Sequence, residues 1–253
     1  MSETLQRYTL AIVAHLALLL AWYLFVTLGK VPQFVMPSPG ATLDALLQPN
    51  YSWWTNIAVT ATEIFTGYFL ALVVGVALAL VFTWSKPLES FFMPLLVSLN
   101  MIPKVALGPL IIVWFKYGIF PNSMMAFSIC VFPILLTTAR GLREVEPELL
   151  DLVRSLKGSR WQLFTKVQLP GAMPYIFSGM KVAAILAVAG AIVGEFLGSD
   201  KGLGYLMLQV QVTLDTPAMF MAVIMITLIG MVLYGLVLLL ERWLVVKDAR
   251  IDA

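Results

Sequence analysis

Few side chains in the apolar parts of this 253-residue sequence are able to do chemistry: Glu63, Lys104, Cys130, Glu195 and the single histidine, His15. An ionisable group inside a long apolar run is costly to keep there, so each is by default a functional group or one half of a pair. What they could do together is narrow. One histidine, one cysteine, two glutamates and one lysine give no Ser-His pairing and no HExxH, so acid–base or nucleophilic catalysis has no constellation to work with. A metal centre needs several His, Cys or carboxylate ligands at set spacings, which the sequence lacks, and the lone Cys130 has no disulfide partner in the chain. No GxxxxGK[ST] phosphate loop occurs, so ATP cannot be cradled by that motif. The reading is of a non-enzyme with no cofactor of its own.

The elements that must position these groups follow from composition. The chain is 60% hydrophobic and 12% charged, with mean hydropathy +0.92, whereas a soluble domain averages about a quarter charged residues. Its apolar residues come in blocks of about 20, the length that crosses a hydrocarbon core of about 30 Å at 1.5 Å per helical residue. This predicts an all-α integral membrane protein, a single domain over residues 1–253. The net charge is +2, and the 16 basic residues form no arginine-rich tract, so nucleic acid is not a partner.

Six transmembrane helices are predicted, at about 8–28, 57–83, 91–115, 123–139, 176–197 and 218–240. The first is too long for a signal-peptide core and lacks a small-x-small cleavage site, so it reads as uncleaved. Pro32, Pro37, Pro39 and Pro49 then permit only a short amphipathic piece around 41–47, and Trp53 and Trp54 read as an interfacial anchor. Pro94, Pro103 and Pro109 predict a kinked or interrupted third span. The backbone groups they free need protein or water partners, which places that span inside the bundle. With the N-terminus inside, the cytoplasmic side collects Arg7, Lys86, Arg140, Arg143, Arg154, Lys157, Arg160, Lys166, Lys181, Arg242, Lys247 and Arg250, which is 12 of the 16 basic residues. That bias obeys the positive-inside rule and predicts that both termini are cytoplasmic.

The loop between spans four and five, about 141–175, has a helical pattern of its own. Leu149, Leu152, Val153 and Leu156 share a face, while Glu148 and Asp151 lie in the first turn behind Pro147. Gly158 is expected to end this helix, and Ser159 to cap a second running to about Gln168. Pro170 and Pro174 are expected to punctuate the return to the membrane. A hydrophobic face on a cytoplasmic helix must be covered, by the chain itself or by a partner groove.

From Asp151 to Pro170 the sequence resembles the cytoplasmic coupling motif of binding-protein-dependent ABC importer permeases: E-A-A, three residues, G, nine residues, I-x-L-P. Asp151 stands for the Glu, Leu152 and Val153 for the alanines, Val167 for the Ile, and Leu169-Pro170 close the motif. Lys157 occupies the Gly position, with Gly158 displaced by one; a turn is still expected there. Together with MPSP at Met36, IPKVALGPLIIVWF at Ile102, SRWQLFTKVQLP around Trp161 and GSDKGLGYL at Gly198, the chain is similar to the nitrate/sulfonate/taurine-type branch of those permeases.

The resemblance implies a type I importer permease in a bacterial inner membrane, working as a homodimer. Each copy would seat its coupling helix in a cytoplasmic ATPase subunit that carries ATP and Mg, while an extracytoplasmic binding protein delivers the solute. Under it, Lys104 either supplies positive charge to a cavity for an anionic solute such as a sulfonate, carboxylate or nitrate, or pairs with Glu63 or Glu195. Those glutamates, near the outer ends of spans two and five, are expected to hold helices together at an outer gate. Gly190, Gly194 and Gly198, extended by Ala183 and Ala187, form a small-residue stripe that permits close helix approach. It serves either packing within one chain or a contact across a dimer axis. A neutral heterocyclic solute, and an autonomous channel or secondary carrier, are the alternative readings.

Overall fold

The computed structural model describes residues 3–145 and 147–245, and over these residues the chain is helical with no strand. In chain order the helices are α1 (Glu3–Leu28), α2 (Pro39–Ala45), α3 (Trp53–Trp84), α4 (Lys86–Met101), α5 (Lys104–Phe115) and α6 (Ile119–Arg143), then α7 (Pro147–Ser155), α8 (Arg160–Leu163), α9 (Leu169–Gly198), α10 (Leu203–Val212) and α11 (Thr216–Leu244). A 3₁₀ turn, Pro49–Tyr51, precedes α3, and a π-helical stretch, Phe164–Gln168, joins α8 to α9. Lys247 and Arg250 of the charge count, and the C-terminus with them, lie outside the described residues.

Four segments are long and apolar enough to cross a membrane: Pro49–Trp84, Ile119–Arg143, Arg160–Gly198 and Thr216–Leu244. The other two expected spans take different forms. The apolar part of α1, Ile12–Leu28, is shorter, and α4 and α5 are bent by 87° into a broken span or re-entrant pair. Proline chemistry sets the break. Pro103 pushes the residue before it out of the helical region, and Ile102 has ψ 124°. The Lys104 Nζ donates to the Leu99 carbonyl at 3.1 Å, recovering one acceptor freed by the break.

The expectation that this span lies inside the bundle is not met within one chain. No residue of α4 is buried, and Phe91, Leu95, Leu99 and Met101 are exposed. Its start is tied to α6 by Arg143 and Glu89 at 2.6 Å and to α3 by stacking of Phe92 on Phe82.

The core instead forms where α6 lies between α3 and α9, and small residues set the spacing. A Cβ on Gly67 of α3 would collide with Ala126 of α6, and one on Gly75 would press on Ile134 at 3.0 Å. One on Gly190 would stand 2.6 Å from the Ala126 Cα, and one on Gly194 3.0 Å from the Asn122 Cα. The small-residue stripe is therefore an intrachain contact of α9 with α6. Ala183 and Ala187 are fully buried, Gly198 is buried at the helix end, and the Cys130 thiol donates to the Ala183 carbonyl at 3.2 Å.

Two further expectations are corrected. Trp53 is core rather than an interfacial anchor: it is buried and its indole N–H donates to the Ala45 carbonyl at 3.0 Å, while Trp54 alone is exposed. Pro170 and Pro174 do not interrupt the chain: Pro170 stands in the first turn of α9, where the ladder passes from π to α pattern, and Pro174 lies inside the helix. The preceding π-helical stretch makes Arg160–Gly198 continuous. Lys181, counted above among the cytoplasmic-side cations, lies within α9 as the fifth span requires, 7% exposed, its Nζ 3.3 Å from Glu241 Oε1 on α11.

Candidate functional site: an exposed coupling segment and a buried polar cluster

At one end of the bundle α7 and α8 form the segment that the motif outlines. The apolar face of α7 is uncovered: Leu149, Leu152 and Leu156 are 41%, 54% and 74% exposed, and Val153 is half-buried. Glu148 and Asp151 are also exposed, as is Trp161 just beyond. The turn after α7 differs from the expected Gly158 stop in one respect. Its left-handed residue is Lys157, with φ +55°, and the Gly158 N–H closes the turn onto the Val153 carbonyl at 2.9 Å. Gly158 is still required, since a Cβ there would collide with Val153.

A left-handed lysine costs about 1–2 kcal/mol that glycine avoids. Lys157→Gly is thus expected to stabilise this turn by about 1 kcal/mol, net of glycine's greater unfolded freedom. Slower amide hydrogen exchange at Gly158 would register it, and faster exchange would contradict it.

Ser159 starts α8 through a reciprocal capping box. Its hydroxyl accepts the Gln162 N–H at 3.2 Å, and the Gln162 side chain accepts the Ser159 N–H at 2.7 Å. Phe164, which the sequence reading overlooked, then anchors the segment: it is buried against Trp84 at the end of α3, with ring centroids 5.4 Å apart, and touches Trp161 at 5.7 Å. Leu169 packs half-buried on the main core, whereas Pro170 is exposed.

At the opposite end, Glu63 and Glu195 come together in a fully buried polar cluster that joins α3, α6, α9 and α10. Glu195 Oε1 accepts the Thr60 hydroxyl at 2.5 Å, while its Oε2 accepts the N–H groups of Gly204 at 2.5 Å and Tyr205 at 3.2 Å. Glu63 Oε1 accepts the Asn122 amide at 2.8 Å. Thr60 also accepts the Leu203 N–H and Asn56 the Gly202 N–H, both at 2.8 Å, so every one of the first amides of the α10 turn has a side-chain acceptor. Gly202 has φ +112°, and a Cβ there would fall on the Glu195 carboxylate. Beside this cluster a cleft of about 480 Å³ opens between Tyr51, Asn56, Asp200, Lys201, Tyr205 and Gln209.

The structure therefore unites Glu63 with Glu195 but leaves Lys104 out. Neither carboxylate accepts from Lys104, and no ion pair among the described residues includes it. Pro103 marks the bend; Pro109 is exposed within α5, whose Gly108 lies against Leu197 of α9. Sequence reasoning missed Asn56, Thr60 and Asn122. A signal was present: Asn56, Thr60 and Glu63 recur at four and three residues, a polar stripe on one face of an apolar helix.

Comparison with known proteins agrees with this architecture. Residues 71–246 match the family described as binding-protein-dependent transport system inner membrane component. The chain is 36% identical over 239 residues to the riboflavin transport system permease protein RibX of Chloroflexus aurantiacus, covering 94% of this chain and 89% of the relative. It is 23% identical over 235 residues to the taurine transport system permease protein TauC of Escherichia coli, covering 90% and 86%. A solved amino acid ABC transporter chain superposes with TM-score 0.60 at 17% identity, over 75% of this chain and 92% of that one, which shows a shared fold. Such permease subunits are non-catalytic, with ATP hydrolysis on a separate ATPase, in keeping with the missing phosphate loop. The chain belongs to the inner-membrane permease components of binding-protein-dependent ABC transport systems.

Proposed function

We propose that two copies of this permease form the solute pathway of an importer, driven by cytoplasmic ATPase subunits seated on α7 and supplied by an extracytoplasmic binding protein. The observation that carries this reading is the uncovered leucine face of α7 next to a firmly anchored segment. An ATPase groove would bury Leu149, Leu152 and Leu156, and displacement of α7 would reach the bundle through Phe164 and Trp84. The α7 end is then cytoplasmic and the glutamate cluster extracytoplasmic. The bare α4 helix, with no buried residue of its own, supports a second copy packed along it.

For the solute we favour a neutral or heterocyclic metabolite. The riboflavin permease is the more similar of the two relatives named above, and both buried glutamates are sealed inside the protein, leaving the pathway little fixed charge. A small organic or inorganic anion is the second reading. It is favoured by Lys104, whose ammonium, among the described residues, hydrogen-bonds the neutral Leu99 carbonyl and no carboxylate.

Gentle purification from native membranes, with identification of every co-purifying protein, tests the assembly. A nucleotide-hydrolysing subunit and a binding protein should accompany the chain, and a stable oligomer without either would overturn the reading. Thermal shift of the captured binding protein then separates the solutes. Stabilisation by flavins or pyrimidines supports the first class. Stabilisation by sulfonates or carboxylates, with reduced uptake in Lys104→Ala, supports the second.

A further inference from the structure

The two glutamates of the buried cluster have unequal surroundings, and the inequality assigns them different chemical states. Glu195, 1% exposed, receives three neutral donors: the Thr60 hydroxyl and the amides of Gly204 and Tyr205. That is the setting of an ionised carboxylate. Glu63, 0% exposed, receives one donor, from Asn122, and its Oε2 has no donor among the described residues. The two carboxyl groups share one buried pocket: Thr60, three residues before Glu63 on α3, donates to Glu195, and Asn122, which donates to Glu63, lies against Gly194 next to Glu195. Two adjacent negative charges buried without a cation repel each other and both lose hydration. Among the described residues, no lysine, arginine or histidine bonds to either carboxyl. The polar groups of the cluster are Asn56 and Thr60 from α3, Asn122 from α6, and backbone amides from α10.

We infer that Glu63 is held as a neutral carboxylic acid that donates its proton from Oε2 to the Glu195 carboxylate, making one acid–carboxylate pair. One proton satisfies the orphaned oxygen, removes the like-charge contact and adds a fourth donor to Glu195. A metal cation in its place would sit against the O–H and N–H hydrogens already aimed at Glu195, an unfavourable arrangement. Glu63 is then a positioning residue. It orients Glu195, which in turn holds the start of α10, so α3, α9 and α10 are fastened through one shared proton.

The test uses the complete transporter in lipid nanodiscs. Infrared spectroscopy at neutral pH should show a protonated-carboxyl C=O band that shifts in D₂O and disappears in Glu63→Gln. Transport by Glu63→Gln should stay within about twofold of the parent, because an amide N–H donates where the acid O–H did. Glu195→Gln should lose about tenfold or more, since its NH2 group replaces one acceptor oxygen and would face either the Thr60 hydroxyl or the two backbone N–H groups, and the remaining hydrogen bonds no longer go to a charged group. Should Glu195→Gln fail to fold, the infrared comparison of parent and Glu63→Gln still decides. No carboxylic band, equal impairment of the two glutamine variants, or transport that requires a metal cation removed by Glu63→Gln would each overturn the inference. The band reads the pair directly, whatever solute is carried.

Discussion

Replacing Leu152 and Leu156 together by aspartate is expected to leave the membrane bundle folded while abolishing ATP-driven uptake. Both side chains are more than half exposed in the chain, so carboxylates there cost the isolated permease little. In a docked complex the same positions are buried. Each leucine lost forfeits about 1.5–3 kcal/mol of apolar burial, and each aspartate must be desolvated without a partner. ATPase binding should therefore weaken by at least about a hundredfold. Co-purification of the ATPase and uptake into proteoliposomes measure the effect, and an unchanged melting temperature shows that the bundle is intact. Normal uptake by the double variant would exclude α7 as the driven contact. Phe164→Ala offers a contrast: it leaves the docking face in place but deletes the anchor against Trp84, uncoupling nucleotide hydrolysis from transport.

Lys181→Met is expected to have the largest effect on stability alone. Its ammonium and the Glu241 carboxylate stand 3.3 Å apart, with side chains 8% and 6% exposed, and they join α9 to α11. Removing the cation strands a buried carboxylate, for which about 3–5 kcal/mol is the usual loss. Replacing Glu241 by leucine in the same chain should return most of it, because an apolar pair of similar volume is often as stable as the ion pair it replaces. Thermal denaturation in detergent of the two variants checks both halves. A single variant as stable as the parent would mean that Glu241 finds another partner.

Much of this architecture is legible in sequence because bilayers impose length and periodicity. The apolar blocks, the break at Pro103, the short helix after Pro39 and the cap at Ser159 all rest on local chemistry that needs no tertiary knowledge. The leucine face of α7 is visible for the same reason. Other features depend on what meets what. Glu63 and Glu195 lie far apart in sequence, and nothing in either helix says that the two carboxyls share a cavity. The glycine stripe admits two partners on paper and only packing on Ala126 and Asn122 chooses between them. The pairing of Lys181 with Glu241 depends on how α9 meets α11, which neither apolar run states. The helix α10, LGYLMLQVQV, is too short for a span and carries two glutamines, so it passes for part of a turn. The left-handed residue after α7 was assigned to Gly158 because glycine favours that conformation, whereas the geometry of the turn falls one residue earlier, on Lys157.

The close approach of α6 to both its neighbours also has a mechanical meaning. Where Gly67, Gly75, Gly190 and Gly194 bring backbone against backbone, there is no layer of side chains to shear, so one helix cannot slide past another without first parting from it. The triplet α3–α6–α9 is therefore the stiff chassis of the machine. Its moving parts must be those with slack: the bent α4–α5 pair and α1. Distance probes placed between the chassis and these parts will change through the transport cycle, while probes placed within the chassis will not.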